Sequence, residues 1–182
     1  MKTNAQHALE LLKEGNTRFV SGALTPKDDY ATLREQLSTG QHPFAVVLCC
    51  SDSRVAPEII FDQKLGDLFV IRNAGNIVDE EVLGSIEYAV EHLESPLVVV
   101  MGHSACGAVT ATYHGGDLTG HIADLAKHIR PSIVSECCVD DNARRHAQQM
   151  ARLIEEDPIV HHVGAKVVAA FYDLQSGKVE WL

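Results

Sequence analysis

Two short, almost wholly apolar runs, Phe44 to Cys49 and Leu97 to Met101, each give way at once to residues that carry chemistry. Cys50-Ser51-Asp52-Ser53-Arg54 follows the first, and Gly102-His103-Ser104-Ala105-Cys106 follows the second. A run without polar alternation reads as a strand covered on both faces, the situation of strands in a parallel sheet flanked by helices. In open α/β sheets the ligand site lies beyond the carboxyl ends of the strands, so Cys50 and His103, distant in sequence, are expected to meet in space. Two thiolates and an imidazole make a three-donor zinc site. A structural zinc fills all four positions with protein groups, whereas a catalytic zinc keeps one for water. His103 and Cys106 lie three residues apart, close enough to bind one ion from a single tight turn, and Asp52 adds a nearby carboxylate.

The rest of the chain fits such a sheet. Asn4 to Val20 carries apolar residues at near-helical spacing, with Asn4 as N-cap. Helices are also expected over Tyr30 to Leu37, Glu80 to Leu93, Cys106 to Tyr113, His121 to Ser135 and Asn142 to Glu156. Asp67 to Arg72 reads as a second strand, followed by the turn-prone Asn73-Ala74-Gly75-Asn76. Lys166 to Tyr172 and Lys178 to Leu182 read as a hairpin turning at Gln175-Ser176-Gly177. Strands alternating with helices predict an α/β fold, a parallel-centred β-sheet flanked by helices with a C-terminal hairpin. The length of 182 residues predicts one domain over residues 1–182, with residues 1–37 as an N-terminal helical arm.

Composition excludes several partners. A formal charge of −10 lacks the basic footprint that nucleic acid or an anionic membrane surface demands, so neither is expected as a partner. The first residues hold no apolar signal core, and no apolar run approaches the ~20 residues of a membrane span; a cytoplasmic location is expected. Five cysteines, two pairs of them adjacent, do not resemble a disulfide framework. Cys49, Cys137 and Cys138 are expected to be small buried side chains. Of the ten histidines, all but His103, with His146 among them, are expected to be solvated.

Taken together, Cys50-Ser51-Asp52-Ser53-Arg54, Arg72-Asn73-Ala74-Gly75-Asn76, Ile86-Glu87-Tyr88-Ala89-Val90 and Gly102-His103-Ser104-Ala105-Cys106-Gly107 resemble the β-class carbonic anhydrases. The resemblance runs from Gly15-Asn16 to Tyr172-Asp173-Leu174. It implies a Zn²⁺ enzyme that hydrates carbon dioxide to bicarbonate by zinc-bound hydroxide, assembled as a homodimer or a dimer of dimers. It further implies Cys50, His103 and Cys106 as zinc ligands, and Asp52 and Arg54 as the catalytic dyad that orients the hydroxide. In one branch of the family the equivalent of Asp52 also swings onto zinc in a closed state. Gln41, Phe69 and Tyr88 match substrate-pocket positions of the plant-type branch, Gln41 reaching a neighbouring subunit's site. The Gly107 N–H is a further donor for the substrate oxygen. Val47 stands where members with a regulatory bicarbonate pocket carry Trp, so no such pocket is expected. The leading face of the first helix, Leu9, Leu12 and Phe19, is a candidate dimer contact. Two other readings compete: a carbon disulfide or carbonyl sulfide hydrolase on the same scaffold, and a non-catalytic zinc or redox-sensing module using Cys49, Cys50 and Cys106.

Overall fold

The computed structural model describes residues 3–182. Its elements in chain order are α1 (Ala5–Ser21), α2 (Tyr30–Leu37), β1 (Ala45–Cys50), α3 (Pro57–Ile60), β2 (Leu68–Asn73), α4 (Glu80–Glu87), β3 (Leu97–His103), α5 (Gly107–His114), α6 (His121–Ile129), α7 (Val139–Glu155), α8 (Pro158–Val163), β4 (Lys166–Tyr172) and β5 (Val179–Trp181). The strands form one sheet in the order β2-β1-β3-β4-β5. β2, β1, β3 and β4 run parallel, and β5 returns antiparallel to β4.

Every residue of β1 and β3 is buried, as their unbroken apolar sequences require. Alternate side chains serve opposite layers. Val46, Leu48, Val98 and Val100 pack with Val82 and Ile86 of α4 and with Met150 and Ile154 of α7. Ala45, Val47, Leu97 and Val99 pack with Ala8, Leu9 and Leu12 of α1 and with Ile60 of α3. The apolar face of α1 is therefore covered by its own chain, Phe19 lying against the edge of the same cluster. By contrast, α2 buries no residue.

Polar contacts fix where α1 sits. Asn4 caps it, its side chain accepting from the His7 N–H at 2.8 Å. Asn16, buried, donates to the Ile60 and Gly177 carbonyls and accepts from the Val179 N–H. A side chain at Gly15 would put its Cβ 1.7 Å from the Phe61 carbonyl oxygen, so the approach of α1 to the end of α3 requires glycine there. Asp62, in the left-handed region at φ 49°, is fully buried at its carboxylate and holds Arg18, Lys27 and Thr25. Burial acts to raise its pKa, but Arg18, Lys27 and Thr25 outweigh it and hold the carboxyl well below its usual range. A depressed folded-state pKa gives stability that is present above the unfolded value of about 4 and is lost as pH falls below it. We therefore expect Asp62→Asn to melt earlier than the parent at neutral pH and to lose less on acidification; parallel acid limbs in thermal melts of the two proteins would contradict this.

The structure departs from the sequence expectation at several ends. The helix expected over Glu80 to Leu93 turns from α to a π turn at Tyr88–His92. The one expected over His121 to Ser135 stops at Ile129 and tightens into a 3-10 turn over Arg130–Ser132, because Pro131 cannot continue an α-helix. Helix α7 starts at Val139, three residues earlier than expected, with Cys138 as its N-cap accepting from the Asp141 N–H. Cys138 is accordingly exposed and Cys137 half-buried, not the buried pair expected. The short helices α3 and α8 carry no long periodic pattern; each starts on a proline.

Candidate metal centre

The parallel register places the site. Cys49 lies opposite Met101, so the chain leaves β1 at Cys50 beside the point where β3 ends at His103. One ligand atom from each of Cys50, His103 and Cys106 lies within 4.8 Å of the others, and all three residues are buried. The tight turn between the last two contains Ala105 at φ 52°, a left-handed residue without glycine's freedom. Asp140 of α7 holds it, Oδ1 accepting from the Ala105 N–H at 2.8 Å. On the other side, Ser104 receives the Leu174 N–H and gives its own N–H to the Tyr172 carbonyl.

The donor set fits a metal ion. His103 Nδ1 faces the Ser104 carbonyl at 2.9 Å; a carbonyl only accepts, so Nδ1 carries the hydrogen and Nε2 presents a bare lone pair. Among the described residues, His103 Nε2 is one of only two buried side-chain nitrogen or oxygen atoms with no hydrogen-bond partner. Leaving such an atom unsatisfied costs about 1–3 kcal/mol, and a cation between it and two sulfurs removes that cost. The Cys50 thiol is held below its ordinary pKa, chiefly by the Cys106 thiol facing it, with the Gly75 N–H adding its share. The Cys106 thiol is pushed up by the Cys50 sulfur and by burial. Ionising both together therefore calls for a compensating positive charge. Cys49, one residue away, is pushed up to about 12 by burial and stays a protonated thiol.

The approach to the cluster is equally ordered. Arg54 grips Asp52 with a fork, Nε to Oδ1 at 2.9 Å and Nη2 to Oδ2 at 2.7 Å, and its own N–H adds a third bond to Oδ1. This pairing holds the Asp52 carboxyl far below the usual carboxylate range. The Asp52 carboxylate faces Arg54 and is not among the three residues of the cluster. Arg72 clamps the same loop by donating to the Cys50 and Asp52 carbonyls. Gly107, exposed, opens α5 directly after Cys106.

Of the expected substrate-site residues, Gly107 adjoins the cluster within one chain, whereas Phe69 does not. Phe69 pairs with Val46 while Cys50 pairs with Asn73, which separates Phe69 from the cluster by roughly 13 Å along the strands. Phe69 and Tyr88 lie ring against ring, with centroids 6.3 Å apart, and Tyr88 is 47% exposed. Gln41 lines a groove with Arg34, Leu37, Leu65 and Leu68 between α2 and the outer edge of β2. His146 corrects the sequence expectation outright: it is completely buried, with both ring nitrogens engaged. The signal was there, since Ala143, His146, Ala147, Met150 and Ile154 fall on one stripe of α7.

A parallel α/β sheet that assembles Cys, His and Cys at its carboxyl edge, with an Arg-held carboxylate nearby, defines the class of α/β proteins with a candidate site for one metal ion. Residues 45–179 match the family described as carbonic anhydrase. The chain is 41% identical over 190 residues to "Carbonic anhydrase 2" of Mycobacterium tuberculosis, covering 97% of this chain and 92% of that one. It is 40% identical to the carbonic anhydrase of Mycolicibacterium smegmatis, covering 98% and 93%. Among solved structures it superposes on a β-carbonic anhydrase of Sordaria macrospora, described as tetrameric, with a TM-score of 0.77 and 27% identity, over 85% of this chain and 88% of that one. This chain belongs to the carbonic anhydrase family, and to its β class.

Proposed function

We propose that this enzyme catalyses the reversible hydration of carbon dioxide to bicarbonate at a Zn²⁺ ion held by Cys50, His103 and Cys106. The observation that carries the assignment is the buried Nε2 of His103, without a hydrogen-bond partner, brought together with two buried cysteine sulfurs so that the three ligand atoms lie within 4.8 Å of one another. When bound, zinc supplies a Lewis acid that makes water a nucleophile near neutral pH, less readily with two anionic sulfur donors than with three neutral imidazoles, where the water pKa falls to about 7. Asp52, kept ionised by the Arg54 fork, would accept a hydrogen bond from the attacking oxygen and so turn its lone pair toward the carbon. The Gly107 N–H, at the start of α5 directly after Cys106, would serve as a donor to the developing oxygen charge.

Because Asp52 is ionised across the working range, a rise of hydration toward alkaline pH reports the water and not the carboxylate. Stopped-flow hydration measured with and without a chelator tests the assignment. We expect activity that climbs with pH and vanishes when zinc is removed, whereas a profile flat down to about pH 6 contradicts the two-thiolate site. Zinc retained without hydration at alkaline pH would turn the reading toward a binding module. A redox sensor is disfavoured by Cys49, which is buried and protonated and so a poor target for oxidants. A carbon disulfide or carbonyl sulfide hydrolase finds no support among the relatives above.

We further propose that residues 1–182 act as one unit and assemble as a homodimer or dimer of dimers in which Gln41, Phe69 and Tyr88 complete a neighbouring copy's pocket. The unpaired edge of β2, the wholly unburied α2 and the exposed Tyr30, Leu65 and Tyr88 support it, since open edges and exposed apolar clusters are ordinarily covered. In this arrangement α1 belongs to its own core and α2 is the outward part of the arm. No described helix is long and apolar enough to cross a membrane, and the five free cysteines fit the reducing cytoplasm as the location.

A further inference from the structure

We propose that His146 is a positioning residue for the metal centre: its Nε2–H anchors the Gly75 carbonyl and so keeps the Gly75 N–H aimed at the Cys50 sulfur. The inference rests on Cys50 being a metal ligand, as proposed above. His146 sits on α7 at 0% exposure. Its Nε2 lies 2.8 Å from the Gly75 carbonyl oxygen, and since a carbonyl cannot donate, Nε2 must carry the hydrogen. Nδ1 is then the acceptor and faces the Ser132 hydroxyl at 3.0 Å. The same hydroxyl lies 2.6 Å from the Ile129 carbonyl; its one hydrogen is shared between that carbonyl and Nδ1, a weak tie of the imidazole to the turn after α6. On the far side of the same glycine, the Gly75 N–H points at Cys50 Sγ, 3.3 Å away.

Gly75 needs this external hold. It lies at φ 79°, followed by Asn76 at φ 42°, and a glycine has no Cβ to restrain its dihedrals. Nothing bulkier fits, because a Cβ there would come within 2.8 Å of Ile129 Cδ1 and 3.0 Å of Ala108 Cβ. The Asn73 side chain brackets the turn from outside by bonding both the N–H and the carbonyl of Ile77. Among the described residues, His146 is the side chain that takes the Gly75 carbonyl, while the Cys50 sulfur takes its N–H. Burial holds the imidazole pKa down, to about 4, so it stays a neutral one-hydrogen donor with a fixed tautomer. An apolar residue would fill the space on the α7 stripe with less desolvation, yet would leave the Gly75 carbonyl unpaired.

An N–H pointed at a metal-bound sulfur withdraws charge from it, and outer partners of this kind are worth 10–100-fold in metal affinity or activity. The test uses the full chain loaded with zinc or cobalt(II), comparing His146→Leu, His146→Gln and Ser132→Ala with the parent. We expect zinc to pass to a chelator about 10–100-fold faster in His146→Leu, and the sulfur-to-cobalt charge-transfer band to move to longer wavelength as the sulfur becomes more electron-rich. His146→Gln, whose side-chain amide can reach the same carbonyl, should restore both readings. Ser132→Ala should move both in the Leu direction by less. A His146→Leu protein that melts earlier but keeps the parent's release rate and band position would overturn the proposal, as would a Gln variant no better than Leu. Should His146→Leu fail to fold, His146→Asn, whose amide falls short of Gly75, takes its place under the same criteria. A parent that shows the thiolate–cobalt bands yet hydrates no carbon dioxide would defeat the function proposed above and leave this inference standing.

Discussion

Cys106→Ser is expected to leave the protein without its metal and to lower hydration by more than the roughly 100-fold that follows loss of an outer-sphere partner. A serine hydroxyl does not ionise in the accessible pH range, so the cluster keeps one thiolate and one imidazole in place of two thiolates and an imidazole. The consequence reaches the fold, because metal binding free energy is folding free energy for a site that does not exist in the unfolded chain. Cys106 is 1% exposed and packs with Cys50, Ile77, Val109 and Phe171, so the variant should also melt earlier than the zinc-loaded parent. Cys137→Ser serves as the control, since that half-buried thiol precedes the α7 cap and is no member of the cluster. Metal analysis and stopped-flow rates on the two variants decide the matter. Stoichiometric zinc and near-parental turnover in Cys106→Ser would remove this residue from the ligand set.

Asp52→Asn is expected to separate metal binding from turnover. The carboxylate points into the Arg54 fork and stands outside the three-residue cluster, so zinc content should be unchanged while kcat falls by about 10–100-fold. The amide loses the negative charge and offers a donor where only acceptors served. Arg54→Lys should show a milder form of the same defect, since a lysine ammonium cannot reproduce the two-pronged grip of a guanidinium. Zinc lost together with activity in Asp52→Asn would instead make Asp52 a resident ligand, and an unchanged rate would remove the dyad from the mechanism.

Most of the sheet was legible because β1 and β3 are buried on both faces and carry no charged or polar residue before His103 at the end of β3. That Cys50, His103 and Cys106 come together was legible for a related reason: a thiol, an imidazole and a second thiol at the ends of neighbouring parallel strands meet beyond the sheet's carboxyl edge. The bounds of α2 matched the expectation, while those of β1 and β2 moved by one residue. What sequence reasoning missed lies where tertiary contact overrides local character. Between Arg145 and Ala147, His146 looks solvated until the packing stripe of α7 is traced through it. Asp140 looks like a surface acid in a helical first turn, yet it satisfies the Ala105 N–H. Gln41, Phe69 and Tyr88 have a family pattern in the sequence, and in the structure Phe69 and Tyr88 lie ring against ring while Gln41 lines the groove between α2 and β2.

Helix α7 hydrogen-bonds the segments around the proposed ligands at two points, Asp140 on the turn between His103 and Cys106, and His146 on the turn that reaches Cys50. It thereby acts as a common beam beneath both prongs of the metal grip. A disturbance that tilts or frays this beam shifts the turn before Cys106 and the turn whose N–H points at the Cys50 sulfur together, so substitutions on its outer surface are expected to register at the proposed metal site.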